Sequence, residues 1–420
     1  MLDLYRLLDL EDLIKENAAG LNSDREELHK IPELAFEEEK TAAYVSSRLK
    51  EMDLSVQEKV AKTGVIGLLE GDRPGKTLLI RAAMDGLSIE ENTGLEFASI
   101  HKGIMHASGH DCLMAMVLGA AEILSKLKKI IHGQIKFVFQ PAAMAPGGAL
   151  LMLQEGVLEN PGVDYAIACH LASERRIGEV LIESGLQLAA MKRFKIKVKG
   201  KGGYRVLNYK YVDAMDVASQ IIPALHLNFT RHGNPLIPTF VRISQIRNLS
   251  AFEGVADNVE IIGNIRTFDN RERISWPDLI EKPVKGICEA NGASYDIEFQ
   301  NVYPAADNGR SITKLVEECA VEVVGEQRVL TFIPNMEGDD FSWFTNRCQG
   351  CLFFMGAAST WRNPPYLHSP EFAPSNDLLP FGVEIFLKAA LQALWPEKSY
   401  GKNFDSATGM PLTSRKYLLW

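Results

Sequence analysis

The block His106-Ala-Ser-Gly-His-Asp-Cys-Leu-Met-Ala115 constrains this chain more than any other. A polar stretch that could place His110 and Asp111 at the tip of a strand-connecting loop runs straight into an apolar helix expected over Cys112–Leu127. Loops at the carboxyl ends of strands are where α/β folds build their sites, so the block predicts an α/β sheet with a functional turn here. His106 and His110, beside Ser108 and Asp111, read first as metal or acid/base chemistry.

The flanking segments repeat the α/β pattern. Leu13, Ile14, Ala18 and Leu21, then Ala43, Val45 and Leu49, recur at helical spacing and predict helices over 11–30 and 36–52. Val65–Leu69 and Thr77–Ala83 are short apolar runs bounded by Gly and Pro, as buried strands are. Strand Gln134–Gln140, helix Gly148–Glu155 and strand Val163–His170 continue the alternation.

The texture changes near Met191. Lys192-Arg-Phe-Lys-Ile-Lys-Val-Lys199 alternates, with Phe194, Ile196 and Val198 on one face and lysines on the other, which predicts a sheet with one solvated side. Helix Asp213–Leu227, strands Thr239–Ser244 and Val259–Phe268, helix Asp278–Asn291 and strand Ser294–Phe299 complete a compact α+β insert. After Tyr303 the first texture returns with helix Ser311–Val324, strand Cys351–Gly356, loop Ala357–Ser369 and helix Asn376–Leu394. The expected division is therefore 1–188 with 303–398, an insert over 189–302, and a C-terminal tail over 399–420.

Composition narrows the function classes. A net charge of -9 disfavours a nucleic-acid partner. No apolar run approaches the roughly 18 residues of a membrane span, and Met1–Asn22 reads as an acidic amphipathic helix and not an export signal, so a cytoplasmic protein is expected. Six cysteines in 420 residues make no disulfide framework. Cys348-Gln-Gly-Cys351 leads into a buried strand with no second pair, and Gly200-Lys-Gly-Gly203 follows a strand without opening a helix, so packing and a turn are the expected roles. Packing is also expected for Cys112.

Leu28-His-Lys-Ile-Pro-Glu-Leu-Ala-Phe-Glu37, Gly109-His-Asp111, Gln140-Pro-Ala142, Gly200-Lys-Gly-Gly203, Arg266-Thr-Phe-Asp269 and Leu367-His-Ser-Pro370 occur in an order that resembles the M20 metallopeptidase family. The resemblance runs from about Leu8 to Leu394 and is nearest the amidohydrolase branch, which acts on N-acyl amino acids, hippurate and auxin conjugates. It implies an α/β catalytic-type domain, an aminopeptidase-like sheet flanked by helices, with an inserted α+β lid domain of four strands and two helices that forms a homodimer contact. It also implies two metal ions sharing a bridging ligand, a water acidified between them, and a carboxylate as general base.

Matched position by position, the implied machinery is depleted. The bridging thiolate falls on Ser108, the first His ligand on His110, and the last His of that block on Leu113. The general base falls on Ala143 and the next carboxylate ligand on Met144, while Ala83 replaces one acid of the preceding strand block and Asp85 keeps the other. His170 and His368 stand at two further ligand positions. In the lid, Tyr204 and Tyr209 replace histidines, Glu253 stands for an Asn, and Asp339 for a Glu.

The candidate catalytic residues are accordingly His110, Asp111, Asp85 and Tyr204, and the candidate ligand-binding residues are Ser108, Met144, His170, Tyr209, Glu253, Asp339 and His368. No resident metal is expected; His110, His170 and His368 are the residual candidates for Zn or Mn at low occupancy. Ser108, His110 and Asp111 sit too close in sequence to align readily as nucleophile, base and orienter. The expected function is binding of an acyl-amino-acid or peptide-like small molecule without two-metal hydrolysis. A repurposed metal-independent enzyme doing acyl-transfer or acid/base chemistry, a regulatory partner of an active paralogue, and a retained weak amidohydrolase stay open.

Overall fold

In the first two helices, apolar residues such as Leu21 and Leu28, then Val45 and Leu49, line the buried face, which in the first also carries Asp24, Arg25 and His29. The computed structural model describes residues 9–144, 147–203, 210–250, 254–269, 275–359 and 364–395. Tyr204, Tyr209, Glu253 and the 399–420 tail lie outside the described residues. Two compact units form, one from Met1–Gly185, Asn308–Phe332 and Arg347–Trp420, the other from Leu186–Asp307 and Ile333–Asn346. Residues 333–346, expected with the first unit, pack with the second.

The first unit opens with α1 (Leu10–Lys30), capped by the Asp9 carboxylate accepting from the Asp12 amide, and α2 (Glu39–Glu51). Strands β1 (Ser55–Val60), β2 (Gly64–Glu70) and β3 (Arg73–Ala83) follow, then α3 (His110–Lys126), β4 (His132–Gln140), the short α4 (Ala149–Gln154), β5 (Tyr165–Arg176) and β6 (Val180–Ile182). The chain then runs through β7 (Gly185–Leu188) into the second unit, which contains β8 (Ala190–Lys199), α5 (Ala214–His232), β9 (Thr239–Asn248), β10 (Asn258–Thr267), α6 (Trp276–Asn291) and β11 (Ser294–Tyr303). After β12 (Ala306–Asn308), which pairs with β7, come α7 (Arg310–Val324), β13 (Val329–Thr331), α8 (Ser342–Thr345), β14 (Gln349–Ala358) and α9 (Leu379–Ala393).

The eight-stranded sheet of the first unit has the order β1-β2-β4-β3-β5-β14-β6-β13. Its centre is parallel: β3 pairs in parallel with β4 and β5, and β5 with β14, whereas β1, β2 and β6 enter antiparallel. A parallel centre covered on both faces calls for continuous apolar strands, and β3 is buried from Thr77 to Ala83. Helix α3 is buried without interruption from His110 to Ala121, so it is apolar all round and central to the core, packed against α1 and α9. It begins at His110, two residues earlier than expected, which puts the imidazole and Asp111 on its first turn.

The second unit is a four-stranded antiparallel sheet, β11-β8-β10-β9, with α5 and α6 on one face. Phe194, Ile196 and Val198 of β8 join Val259, Ile261 and Ile265 of β10 in its core. Phe194 pairs with Gly263, where a Cβ would lie 2.3 Å from the ring, so the strand needs glycine at that approach. Lys192 corrects the expected alternation. It shares the parity of Phe194, is buried, and carries its ammonium 5.1 Å from the Trp276 ring centroid.

The alternation of β8 predicts an asymmetric response to substitution. Phe194→Ala should lower unfolding stability by about 3–5 kcal/mol, because buried aromatic truncation leaves a cavity. Lys197→Ala, on the other face, should stay within about 0.5 kcal/mol. Urea denaturation of the full chain measures both; equal effects would mean the two faces are not distinguished by burial.

Candidate functional site

The carboxyl ends of the central parallel strands bring the unit's candidate residues to one end of the sheet. Asp85 follows β3, Ala143 and Met144 follow β4, His170 lies within β5, and His368 lies on the loop after β14. His110 opens α3 immediately after Gly109, whose φ is +73° and where a Cβ would sit 2.4 Å from Leu171 Cδ1. Both the left-handed backbone and the crowding require glycine at that turn. The His368 backbone N–H donates to Ala107 O at 2.9 Å, tying its loop to the residue before Ser108.

Asp85 organises the cleft. His110 Nδ1 donates to the Asp85 backbone carbonyl at 2.8 Å, with the carboxylate Oδ1 alongside at 3.1 Å, so Nε2 is the lone-pair nitrogen of the neutral ring. The other carboxylate oxygen, Oδ2, accepts the Met144 N–H at 3.0 Å. Burial pushes the Asp85 carboxyl up, but the His110 contact and the Met144 amide outweigh it and hold the group below its ordinary range. Burial likewise opposes protonation of His110, and the Asp85 contacts reverse the direction, raising it.

A second buried carboxylate fixes the same loop. Glu38 Oε1 accepts the Ala142 N–H at 2.8 Å and Oε2 accepts the Thr63 hydroxyl at 2.6 Å, while Ala142 itself adopts φ 51°. The main chain of 142–144 is thus pinned at two amides by two acids. The side chains it presents are a methyl at Ala143 and a thioether at Met144, which is 37% exposed. The Ser108 hydroxyl donates weakly to Met144 Sδ at 3.8 Å.

Asp111 has different partners from His110. Its Oδ2 accepts from Arg25 Nε at 3.1 Å and from His29 Nδ1 at 2.9 Å, and His29 Nε2 donates in turn to Glu91 Oε1 at 3.1 Å. Arg25 also donates to Asn376 Oδ1 and lies 5.6 Å from the Phe97 ring centroid. Burial pushes Asp111 up, yet the His29 and Arg25 charges keep it far below the carboxylate range. Burial depresses His29, but Asp111 and Glu91 more than reverse this and raise it to about 9. His106 lies 6.4 Å from the His29 ring with neither nitrogen hydrogen-bonded, and burial lowers it to about 4. Sequence reasoning missed Arg25, His29, Glu38 and Glu91. The available signal was Arg25 and His29 falling on the apolar stripe of α1 beside Leu21 and Leu28, where a charge needs a buried partner.

His170 donates Nδ1–H to Leu171 O at 3.0 Å and tilts against Phe354 at 5.8 Å. Burial, then the nearby His170 and His110, lower His368. Asp339 belongs to the second unit, where its Oδ1 accepts the Phe341 N–H at 2.7 Å and shapes the turn into α8. Among the described residues, no group of three or more His, Cys, Asp or Glu is arranged to hold a metal ion. None of the six cysteines is in a disulfide, and burial pushes Cys112 strongly up, consistent with packing. No helix among the described residues is long and apolar enough to cross a membrane.

The two buried histidines predict opposite pH limbs. His106 is depressed in the folded state, so between its folded value of about 4 and the ordinary 6.5 the unfolded chain binds more protons and stability falls as pH falls. His29 is raised, so its contribution is complete below 6.5 and is lost as pH rises through about 9. Each limb spans about 3 kcal/mol at most. Stability measured by denaturation from pH 5 to 9 should flatten on the acid side in His106→Gln and on the alkaline side in His29→Gln. Unchanged slopes would contradict these assignments.

A family model described as peptidase family M20/M25/M40 matches residues 79–392. The chain is 34% identical over 379 residues to thermostable carboxypeptidase 1 of Saccharolobus solfataricus, covering 89% of this chain and 95% of that protein. It is 40% identical over 296 residues to an N-acyl-L-amino acid amidohydrolase of Geobacillus stearothermophilus, covering 70% and 80%. Among solved structures, the Bacillus subtilis YXEP protein, a dinuclear metal binding peptidase of family M20, superposes with a TM-score of 0.76 at 28% identity, covering 90% of this chain and 99% of that one. The two-unit architecture, the ordered blocks and these matches agree: the chain belongs to the M20 peptidase family, in its amidohydrolase branch.

Proposed function

We propose that this protein is an M20 amidohydrolase relative whose dinuclear centre and general base have been dismantled, and that it binds an acyl-amino-acid or peptide-like small molecule without hydrolysing it by the two-metal route. The observation that carries the reading is the 142–144 loop. Its backbone is fixed by Glu38 and Asp85, yet Ala143 offers no proton acceptor and Met144 no carboxylate. With the main chain so firmly placed, the reading rests on the side chains at 143 and 144 and not on a misplaced backbone.

The donors present do not fit a pair of hard or borderline divalent ions. A serine hydroxyl turned toward a thioether is a poor bridge, and a thioether suits soft metals only. The remaining imidazoles, His110, His170 and His368, bring no negative charge to offset two cations. What the cleft keeps is recognition chemistry. The Asp85-oriented His110 ring presents Nε2 as an acceptor in its neutral form or a donor when protonated, and Ser108 adds a hydroxyl. Such groups orient an amide or carboxylate without polarising its carbonyl as an ion would. The same Asp85–His110 pair is the specific observation favouring a second reading, in which His110 serves as general base in metal-independent chemistry.

Restoring the missing groups tests the proposal. With Zn or Mn supplied, wild type should show no turnover of N-acetyl amino acids, whereas combined Ser108→Cys, Ala143→Glu and Met144→Glu should gain hydrolysis, since a positioned base alone contributes about 10²–10⁴-fold. Wild-type hydrolysis at a rate equal to that of the triple variant would overturn the proposal. Metal-independent turnover lost in His110→Gln would establish the second reading instead.

A further inference from the structure

Three strands of the first unit floor an open cavity of about 420 Å³, none of whose lining residues belongs to the cleft described above. Strand register explains the floor. Lys136 of β4 lies opposite Leu68 of β2, Leu68 lies opposite Ser55 of β1, and Ile66 lies opposite Gln57 in the next row, so these side chains share one face of the sheet. The segment after α4 forms the wall and brings Glu155 and Glu159 to it. Lys136 is 4% exposed, and its Nζ donates to Val157 O at 2.9 Å and to Glu159 O. An ammonium has three N–H bonds, so two main-chain carbonyls leave the third without an acceptor among the described residues. Burial lowers this ammonium to about 8, with Glu159 opposing, and it therefore stays charged at pH 7. The two carboxylates are exposed; Glu155 Oε2 accepts the Ala61 N–H at 2.8 Å, which leaves Oε1, and no ion pair ties Glu159 to another described residue.

We propose that this cavity binds small α-amino amides, the ligand's ammonium facing the Glu155 and Glu159 carboxylates and its carbonyl oxygen accepting the third N–H of Lys136. One ammonium and two carboxylates give the lining a net charge of -1, which a singly charged cation balances and an anion does not. The buried lysine keeps both of its main-chain contacts throughout and gains the acceptor it lacks, so binding satisfies a buried donor without breaking an existing bond. Ile66 and Leu68 supply apolar floor for the ligand's side chain. The site is independent of the cleft. There an acylated amine is the proposed ligand, whereas here acylation would remove the charge on which recognition depends.

L-Leucinamide is titrated into the full-length protein at pH 7 and followed by calorimetry, with hydrogen exchange read peptide by peptide to place it. It should bind with a Kd of about 1 mM and slow exchange across 155–160 while leaving 106–115 unchanged. N-acetyl-L-leucinamide, which lacks the ammonium, and isopentylamine, which lacks the carbonyl, should each bind about tenfold more weakly. Glu159→Gln, at an exposed position, should weaken leucinamide binding about threefold and leave the circular dichroism unchanged. Absence of leucinamide binding, equal binding of either analogue, or protection confined to 106–115 would overturn the proposal, and so would full affinity in Glu159→Gln.

Discussion

One buried carboxylate ties the cleft together. Asp85 takes the His110 Nδ1–H on its own carbonyl, sets a carboxylate oxygen beside that nitrogen, and accepts the Met144 amide on the other oxygen. The end of β3, the first turn of α3 and the loop after β4 are thereby locked to a single residue. Removing it would leave His110 without its orienting charge and the Met144 amide without a partner, each costing about 1–3 kcal/mol in a buried setting. Glu38 acts in parallel on Ala142, so the loop geometry does not depend on the identity of residues 143 and 144.

The second buried network has a structural character. Arg25, His29, Asp111 and Glu91 alternate in charge and join α1, α3 and the loop between β3 and α3. Buried pairs of this kind gain little over apolar packing, but removing one member strands its partner. Asp111 at the first turn of α3 also lies where the helix dipole favours a negative charge. Its neighbour His110 faces Asp85, so adjacent residues of one sequence block divide between the cleft and the core.

The sequence makes the periodic parts of this molecule legible and leaves the long-range ones hidden. The β8 alternation, the apolar run of β3 and the helix α3 are readable because each is set by spacing within a few residues. Lys192 misleads for the converse reason: at a core-facing position it meets the ring of Trp276, far along the chain. The identities of Ser108, Ala143 and Met144, on which the proposed loss of metal donors rests, are visible in the sequence itself. That Glu38 and Asp85 still hold the backbone there is not, since Glu38 reaches Ala142 across 104 residues and Asp85 reaches Met144 across 59. Segment 333–346 reads as part of the first unit, like its flanks, but it packs with the second unit, a choice that local pattern does not encode.

The most direct measurement of the central claim is metal stoichiometry by native mass spectrometry after equilibration of the full chain with excess Zn²⁺ or Mn²⁺ and buffer exchange. If Ser108, Ala143 and Met144 stand for the bridge, base and anionic ligand as proposed, the chain should return the mass of the bare polypeptide. Two ions retained on each chain would contradict it.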